Sequence, residues 1–215
     1  MRAISKGPEP LSLLAHRQTP PCDYNNYRAK DDLREALASE QRGLCCYCMG
    51  RITSDATTMK IEHWQSQTRY PEQQLTYVNL LGSCPGEEGQ PRGLQHCDTR
   101  KGERDLRWNP ADSAHHIETR IRYEFDGSIR SDDAEFDAQL NEVLNLNLPV
   151  LKNHRKGVRS AVVDWLKHQK AKLHGPVSQA QFERERDRHI AGHGRLIPYC
   201  QVAVWWLNQR LLRMR

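Results

Sequence analysis

The sequence predicts an α+β fold, in which a cysteine-rich module with short strands precedes a mainly helical C-terminal region. Three observations lead to this prediction. Four cysteines fall into two groups between positions 45 and 97 and enclose a short alternating segment. A second alternating segment, residues 117–130, contains Asp126-Gly127, a strong signal for a β-hairpin turn. Apolar residues then recur at helical spacing from residue 136 onward.

Composition limits the class of protein. Only 37% of the 215 residues are apolar and the mean hydropathy is −0.83, so we expect a limited core and some surface buried against a metal or a partner. No apolar run approaches the ~18–20 residues that a membrane span needs. The start, MRAISKGPEP, lacks the apolar segment of a signal peptide. Seven cysteines in such a chain indicate metal binding in a reducing cytoplasm rather than disulfides.

Charge is unevenly distributed along the chain. Residues 1–149 contain 18 basic and 23 acidic residues, a net charge of −5, whereas residues 150–215 contain 14 and 4, a net charge of +10. The basic C-terminal third is compatible with a surface that faces phosphates, with a solvated helical face, or with a docking surface for an acidic partner.

The first elements lead into the cysteine module. Residues 1–28 contain four prolines and predict an extended arm that packs along the domain or a partner. Residues 29–42, AKDDLREALASEQR, predict a helix, with two aspartates in its first turn and Gly43 at its end.

The cysteines have the spacing of a metal site. Cys45 and Cys48 form a C-x-x-C, and Cys84 and Cys97 follow 36 and 49 residues after Cys48. Zn²⁺ prefers four tetrahedral nitrogen or sulfur ligands, which these two pairs supply. His96 is a rival ligand. The alternative, reduced cysteines in a core, is less favoured because the cysteines are grouped within polar sequence. The remaining cysteines, Cys22, Cys46 and Cys200, have no assigned role.

Between the two cysteine pairs, MKIEHW alternates as a short strand. Glu62 and His63 therefore start on opposite faces, and a distortion at the strand end would be needed to bring both to one site. Asn79 follows 16 positions after His63, and Asp98 directly follows Cys97. A helix is expected to begin at Asp98 and to continue to about residue 107, with three basic residues on a face that phosphates could meet: Lys101, Arg104 and Arg107.

The C-terminal half predicts a scaffold of one hairpin and several helices. Residues 117–130 form the predicted hairpin, and Phe136, Leu140 and Leu144 lie on the apolar stripe of the helix that follows. Pro149 separates it from a long helix that begins near residue 150 and is rich in lysine and arginine. Ser178 to Gln181 predict a capping box for the next helix. The last helix, residues 198–215, is apolar nearly all round, so we expect it to be buried in its own fold or docked on another chain.

The order C-x-x-C, E-H, N, C-D-x-x-K-G resembles the HNH (ββα-metal) nuclease motif with its supporting zinc knuckle. The resemblance implies that His63 is the general base and that Asn79 orients it. It implies that Glu62 and Asp98 hold a catalytic divalent ion, and that Cys45, Cys48, Cys84 and Cys97 hold a structural Zn²⁺. The sequence departs from the common motif by having Glu62 and Asp98, but both are hard oxygen ligands that suit Mg²⁺ or Mn²⁺.

A narrower resemblance covers most of the chain. The segments MRAISKGPEP, GLCCYC, KIEHW, HCDTRKGE and LNLNLPVLKNHRKG resemble the PtuB-like nuclease subunits of Septu and retron-associated anti-phage systems. This implies a PtuA-like ABC-type ATPase as partner, and in some systems a retron reverse transcriptase with its msDNA. We therefore expect an N-terminal arm at 1–28, an HNH module at 29–112, and a basic region for partner or nucleic-acid contact at 113–215.

The expected function is metal-dependent hydrolysis of phosphodiester bonds by a cytoplasmic HNH endonuclease. DNA is the default substrate, and RNA, including tRNA, stays open because such a site acts on the phosphodiester and not on the sugar. The alternative is a catalytically inert, zinc-stabilised adaptor that binds nucleic acid or the ATPase. The complete set of Glu62, His63, Asn79 and Asp98 is an argument against the adaptor.

Overall fold

The computed structural model describes residues 1–214 and shows a mixed α+β fold, as predicted. It contains seven helices, α1 (Leu11–Arg17), α2 (Lys30–Glu40), α3 (Cys97–Lys101), α4 (Ala134–Ala138), α5 (Pro149–Leu173), α6 (Gln179–Arg188) and α7 (Cys200–Leu212). Its four strands are β1 (Lys60–His63), β2 (Leu80–Ser83), β3 (Arg122–Tyr123) and β4 (Ile129–Arg130). None of the helices among residues 1–214 has the length and apolar content required to cross a bilayer.

The N-terminal segment contains a helix where the sequence predicted an extended arm. Pro10 immediately precedes α1, and its carbonyl accepts hydrogen bonds from the amides of Leu13 and Leu14. A proline just before the first helical turn is compatible with the helix, because the amides of that turn lack intrahelical partners. As expected, the segment packs along the domain: Lys6 Nζ donates to the Leu80 carbonyl over 2.8 Å.

Strands β1 and β2 pair antiparallel and place the Glu62–His63 segment at the sheet end. His63 lies opposite Leu80 and Lys60 opposite Ser83. The Gln41 side chain connects this sheet to α2, since it donates to the carbonyl of Gly82 over 2.7 Å and accepts from its amide. A Cβ at Gly82 would lie 2.6 Å from Met59 Cε, so a larger residue at this position would require the Met59 side chain to move.

Helix α3 completes a β-β-α order, but it is shorter than the sequence predicted. The helix ends at Lys101, and Gly102 then adopts a φ of +56°. Arg104, expected to face phosphates, donates to the carbonyl of Arg100 over 2.6 Å and therefore caps the helix end. Arg107 pairs with Asp133 and Glu135. These two arginines serve the protein's own packing.

The predicted hairpin is confirmed in a shorter form. Strands β3 and β4 pair with Tyr123 opposite Ile129. Gly127 in the turn has a φ of +82°, and a Cβ there would lie 2.2 Å from the carbonyl oxygen of Lys152 on α5. The turn therefore packs directly on that helix, and glycine is required both for the backbone conformation and for the close approach.

The C-terminal helices form a unit in which the last helix is largely internal. Helix α4 continues into a π-helical turn, Gln139–Val143, before the 25-residue α5. The predicted capping box of Ser178 and Gln181 opens α6. Helix α7 packs against α5 and α6 and buries seven of its residues, listed here: Cys200, Gln201, Val202, Ala203, Val204, Leu207 and Leu211. Of the two alternatives for the last helix, burial in its own fold accounts for most of its apolar surface.

Arg155 is the largest fully buried side chain, and it joins α5 to the hairpin. Its Nε donates to the Gly127 carbonyl and its Nη2 to the Leu146 carbonyl, each over 2.6 Å. Because two charge-assisted hydrogen bonds are lost and two carbonyls are left without donors, Arg155→Met should lower the free energy of unfolding by about 3 kcal/mol. Urea denaturation measures this, with the exposed neighbour substitution Lys156→Met as control. Equal effects of the two substitutions would contradict this role.

Candidate functional site

The four cysteines predicted as a metal site converge. The Sγ atoms of Cys45, Cys48, Cys84 and Cys97 all lie within 4.8 Å of one another. Those of Cys45 and Cys97 are 3.8 Å apart, and those of Cys48 and Cys84 are 3.7 Å apart. A tetrahedron with metal–sulfur bonds of about 2.3 Å has edges of about 3.8 Å. The cluster therefore has the dimensions of a closed site and could bind a metal ion such as zinc.

His96 contacts this cluster from the side. Its Nδ1 lies 3.1 Å from Cys97 Sγ and 4.0 Å from Cys84 Sγ. The amide of Gly50 also donates to a sulfur, Cys48 Sγ, over 3.2 Å. Four sulfur atoms already form a tetrahedral set, so the position of His96 suits a hydrogen-bond donor to a thiolate, as is common around metal ligands.

The pKa shifts of the thiols are compatible with a bound cation. Burial opposes ionisation of Cys45, but hydrogen bonds from the neighbouring thiols lower its pKa well below its usual range. Burial and hydrogen bonds with the other sulfurs raise the pKa of Cys97 well above its usual range. Without a cation the sulfurs therefore do not all ionise. A divalent ion would favour all four thiolates, so the donor set fits Zn²⁺. The other three cysteines, Cys22, Cys46 and Cys200, are not part of the cluster.

Glu62, a residue of β1, is buried beside α3, and its carboxylate contacts two side chains. Its Oε1 accepts a hydrogen bond from the Tyr47 hydroxyl over 2.6 Å and lies 2.8 Å from Lys101 Nζ. The Glu62 and Lys101 side chains are 2% and 0% exposed. Lys101, expected to face phosphates, is thus the buried counter-ion of Glu62. It also donates to the carbonyl of His63 over 3.0 Å, which fixes the end of β1.

The Asp98 carboxylate lies 3.2 Å from Lys60 Nζ and beside the carboxyl group of Glu62. Burial and the charge of Asp98 raise the pKa of Glu62 well above its usual range, although the charge of Lys101 opposes this. Burial opposes ionisation of Asp98, but hydrogen bonding with Glu62 and the charge of Lys60 lower its pKa. Two neighbouring carboxyl groups suit Mg²⁺, which is bound by one or two carboxylates and keeps several waters.

His63 has one ring nitrogen committed to the backbone. Its Nε2 lies 3.0 Å from the carbonyl oxygen of Gln74, so Nε2 carries the proton and Nδ1 is left as an acceptor. The ring of Tyr24 meets the imidazole edge-on, with centroids 4.5 Å apart. Burial lowers the pKa of His63 below its usual value of 6.5, although the Gln74 carbonyl and Asp98 oppose this. The neutral, basic form is therefore favoured at neutral pH.

Asn79 holds the loop that follows β1. Its Oδ1 accepts from the amide of Gln65 over 2.7 Å, and its Nδ2 donates to the carbonyls of Gln65 and Gln73 over 3.0 and 3.1 Å. Through these bonds Asn79 holds Gln65, near the start of the loop, and Gln73, near its end at Gln74. The side chain of Asn79 thus fixes the residue next to the carbonyl that His63 contacts.

The roles of several residues around the site were not predicted. Tyr47 lies inside the GLCCYC segment, and Lys101 lies three positions after Asp98, so both could have been suspected from their proximity to the motif. Tyr24 comes from the N-terminal segment, and Gln74 contributes only its backbone. No local pattern marks either of these two residues.

One curated protein shows sequence similarity to this chain. Over 86 residues, the sequence is 27% identical to the Septu protein PtuB of Bacillus thuringiensis. The matched segment is 40% of this chain and 30% of that protein, so the chain spans less than a third of the length of the relative that it matches. No model of a protein family matches the sequence.

Proposed function

We propose that this chain is a metal-dependent HNH endonuclease that hydrolyses phosphodiester bonds in nucleic acid. The observation that carries the proposal is the β-β-α segment, in which β1 bears Glu62 and His63 and α3 bears Cys97 and Asp98. Around it lie a four-sulfur cluster and an imidazole with one free nitrogen. This combination supplies a base and a pair of hard oxygen ligands. A metal ion bound by the four sulfurs would hold the segment together.

In this proposal His63 Nδ1 removes a proton from the attacking water. The Gln74 carbonyl holds the opposite nitrogen in its protonated form, which leaves Nδ1 as the acceptor. Asn79 acts through the loop that positions Gln74. Glu62 and Asp98 would hold Mg²⁺ or Mn²⁺, and such an ion, when bound, stabilises charge on the phosphate and the leaving oxygen. Lys101 and Tyr47 hold Glu62 in place.

We also propose that the nuclease is the effector of an anti-phage defence complex with a PtuA-like ABC-type ATPase. The partial similarity to the Septu protein PtuB supports this assignment. A retron reverse transcriptase with msDNA is a further proposed partner. DNA is the first substrate to test, followed by RNA and tRNA.

One observation favours the alternative of an inert zinc-stabilised adaptor. Glu62 is already neutralised by Lys101 and hydrogen-bonded to Tyr47, an arrangement that needs no catalytic ion. Cleavage assays with Mg²⁺ or Mn²⁺ on plasmid, single-stranded DNA and total tRNA, with and without the co-expressed ATPase, separate the two functions. Metal-dependent cutting supports the nuclease. An inert chain in every combination supports the adaptor.

The pH dependence of cleavage tests the role of His63. As pH falls, protonation of Nδ1 removes the base, so the rate should fall on the acid side. Because burial lowers the pKa of His63, the midpoint of this fall should lie below pH 6.5 at saturating Mg²⁺. The midpoint is obtained from single-turnover rates on a fixed substrate between pH 5 and 9. Circular dichroism at each pH shows that the protein stays folded. A midpoint above pH 7 would be inconsistent with a buried neutral histidine.

A further inference from the structure

An apolar groove runs along the C-terminal helices on the outside of the fold. Its floor consists of Val162 and Leu166 from α5 and Phe182 from α6. Phe125 from the hairpin and Trp206 from α7 close one end of it. The second end is formed by another set of residues, Pro176, Val177 and Met214. Leu166 and Phe182 line both ends, so the surface is continuous.

The groove leaves large apolar side chains in contact with solvent. Phe125 is 65% exposed and Met214 is 44% exposed. Both lie beside further apolar groups and not singly among polar residues. Exposed apolar side chains that lie together can form part of a surface that binds another macromolecule.

The groove also carries a single sign of charge. Among the described residues that line it, four are basic, Arg159, Lys170, Arg210 and Arg213, and none is acidic. None of these four residues forms an ion pair within residues 1–214, and Asp126, the residue after Phe125, pairs with Lys152. The positive charge of the groove is therefore not neutralised by ion pairs.

Arg159 contacts the apolar side chains of the groove and also contributes to its positive charge. Its guanidinium lies 4.5 Å from the Phe125 ring centroid and 5.1 Å from that of Trp206. Its Nε is buried and makes no hydrogen bond within residues 1–214. No acceptor within residues 1–214 therefore balances this end of the guanidinium, and an acidic group of a ligand beside Arg159 would interact favourably with its charge.

We propose that this groove, lined by α5, α6 and α7, docks an amphipathic helix of a partner protein, with its apolar face on Phe125, Leu166 and Met214 and acidic residues beside Arg159 and Arg210. Helices bind such grooves through apolar anchors at positions i, i+3, i+4 and i+7. The floor favours this occupant over a nucleic acid, because Val162 and Leu166 are aliphatic and Phe182 is buried, so the floor offers bases no stacking face. The inference goes beyond the nuclease and does not require the chain to cleave anything.

Three fluorescein-labelled helical peptides test the proposal by fluorescence anisotropy. Two of them share one apolar face and differ in their flanking residues, which are all Glu or all Lys. The third has the Glu flanks and the same composition with its apolar positions scrambled. The Glu-flanked peptide should bind the full chain at least about tenfold tighter than the other two. Phe125→Ser should weaken its binding by about tenfold, and Arg210→Glu should weaken it and improve binding of the Lys-flanked peptide. Lys167→Glu, the same charge change on an exposed α5 residue, is the control.

Other occupants give different results. Equal binding of the three peptides, or no binding of the Glu-flanked peptide, would overturn the proposal. So would tight binding of a labelled 20-nucleotide single strand that Phe125→Ser abolishes, which would assign the groove to nucleic acid. A concentration-dependent dimer lost in Phe125→Ser would assign it to a second copy of the chain. Since the peptide assay contains no nucleic acid and no catalytic ion, its failure is distinct from a failure of the nuclease proposal.

Discussion

Replacing His63 with alanine should slow cleavage of nucleic acid by on the order of 10²–10⁴-fold, the usual magnitude for a general base. The imidazole is held by the Gln74 carbonyl at Nε2 and faces Tyr24, so its loss removes the base and leaves the carboxylates and the sulfur cluster in place. The measurement is the single-turnover rate in Mg²⁺ or Mn²⁺ on whichever of plasmid, single-stranded DNA or tRNA the wild-type protein cuts. The exposed histidine substitution His168→Ala is the control.

A loss of activity must be separated from a loss of structure. Zinc content and the thermal unfolding midpoint of His63→Ala should stay close to those of wild type. Added imidazole should restore part of the rate, because it can occupy the space left by the side chain and accept the proton. Full activity in His63→Ala would exclude the histidine as base, and a defence function that survives in this variant would favour the inert adaptor.

Replacing Cys97 with alanine should release the metal and unfold the module between residues 45 and 101. The four sulfurs connect the C-x-x-C segment, the residue after β2 and the first residue of α3. Structural zinc contributes about 10–16 kcal/mol to the folding of small zinc domains, which is as large as the whole stability of a typical domain, about 5–15 kcal/mol. The measurements are zinc per chain by elemental analysis and the circular dichroism spectrum, with and without a chelator.

Cys46 provides a matched control for this substitution. It lies between the two ligands of the C-x-x-C and is also buried, but it is outside the four-sulfur cluster. Cys46→Ala should therefore retain zinc and lose only the modest packing energy of a small buried side chain. If Cys97→Ala retained one zinc per chain and its unfolding midpoint, the four-cysteine assignment would be wrong.

The features that the sequence predicted well are those with local chemistry. The spacing of the cysteines predicted their convergence, Asp126-Gly127 predicted the hairpin turn, and Ser178 with Gln181 predicted the cap of α6. Each depends on residues a few positions apart or on the ligand preference of a metal. The predicted α+β fold class follows from the same local patterns.

The features that were mispredicted or missed include one local feature, the end of α3, and two contacts between distant segments. Helix α3 was expected to continue past Lys101, but Gly102 ends it and Arg104 caps it. Lys101 was placed on a basic face, yet its partner Glu62 lies 39 positions earlier in the chain and holds it in the interior. The Tyr24 contact with His63 joins the N-terminal segment to β1, and no periodicity in either segment indicates it.

The adjacency of Cys97 and Asp98 has a consequence for the order of events during synthesis. Cys45, Cys48, Glu62, His63 and Cys84 all leave the ribosome before Cys97, and Asp98 follows it directly. Cys97, which carries the fourth sulfur, and Asp98, which carries the second carboxylate, are consecutive residues in one short helix. The set of four sulfurs and the pair of carboxylates are therefore completed at the same point of synthesis. A nascent chain that has not reached this point has neither, and if the proposed nuclease is correct, it is harmless to the cell that makes it.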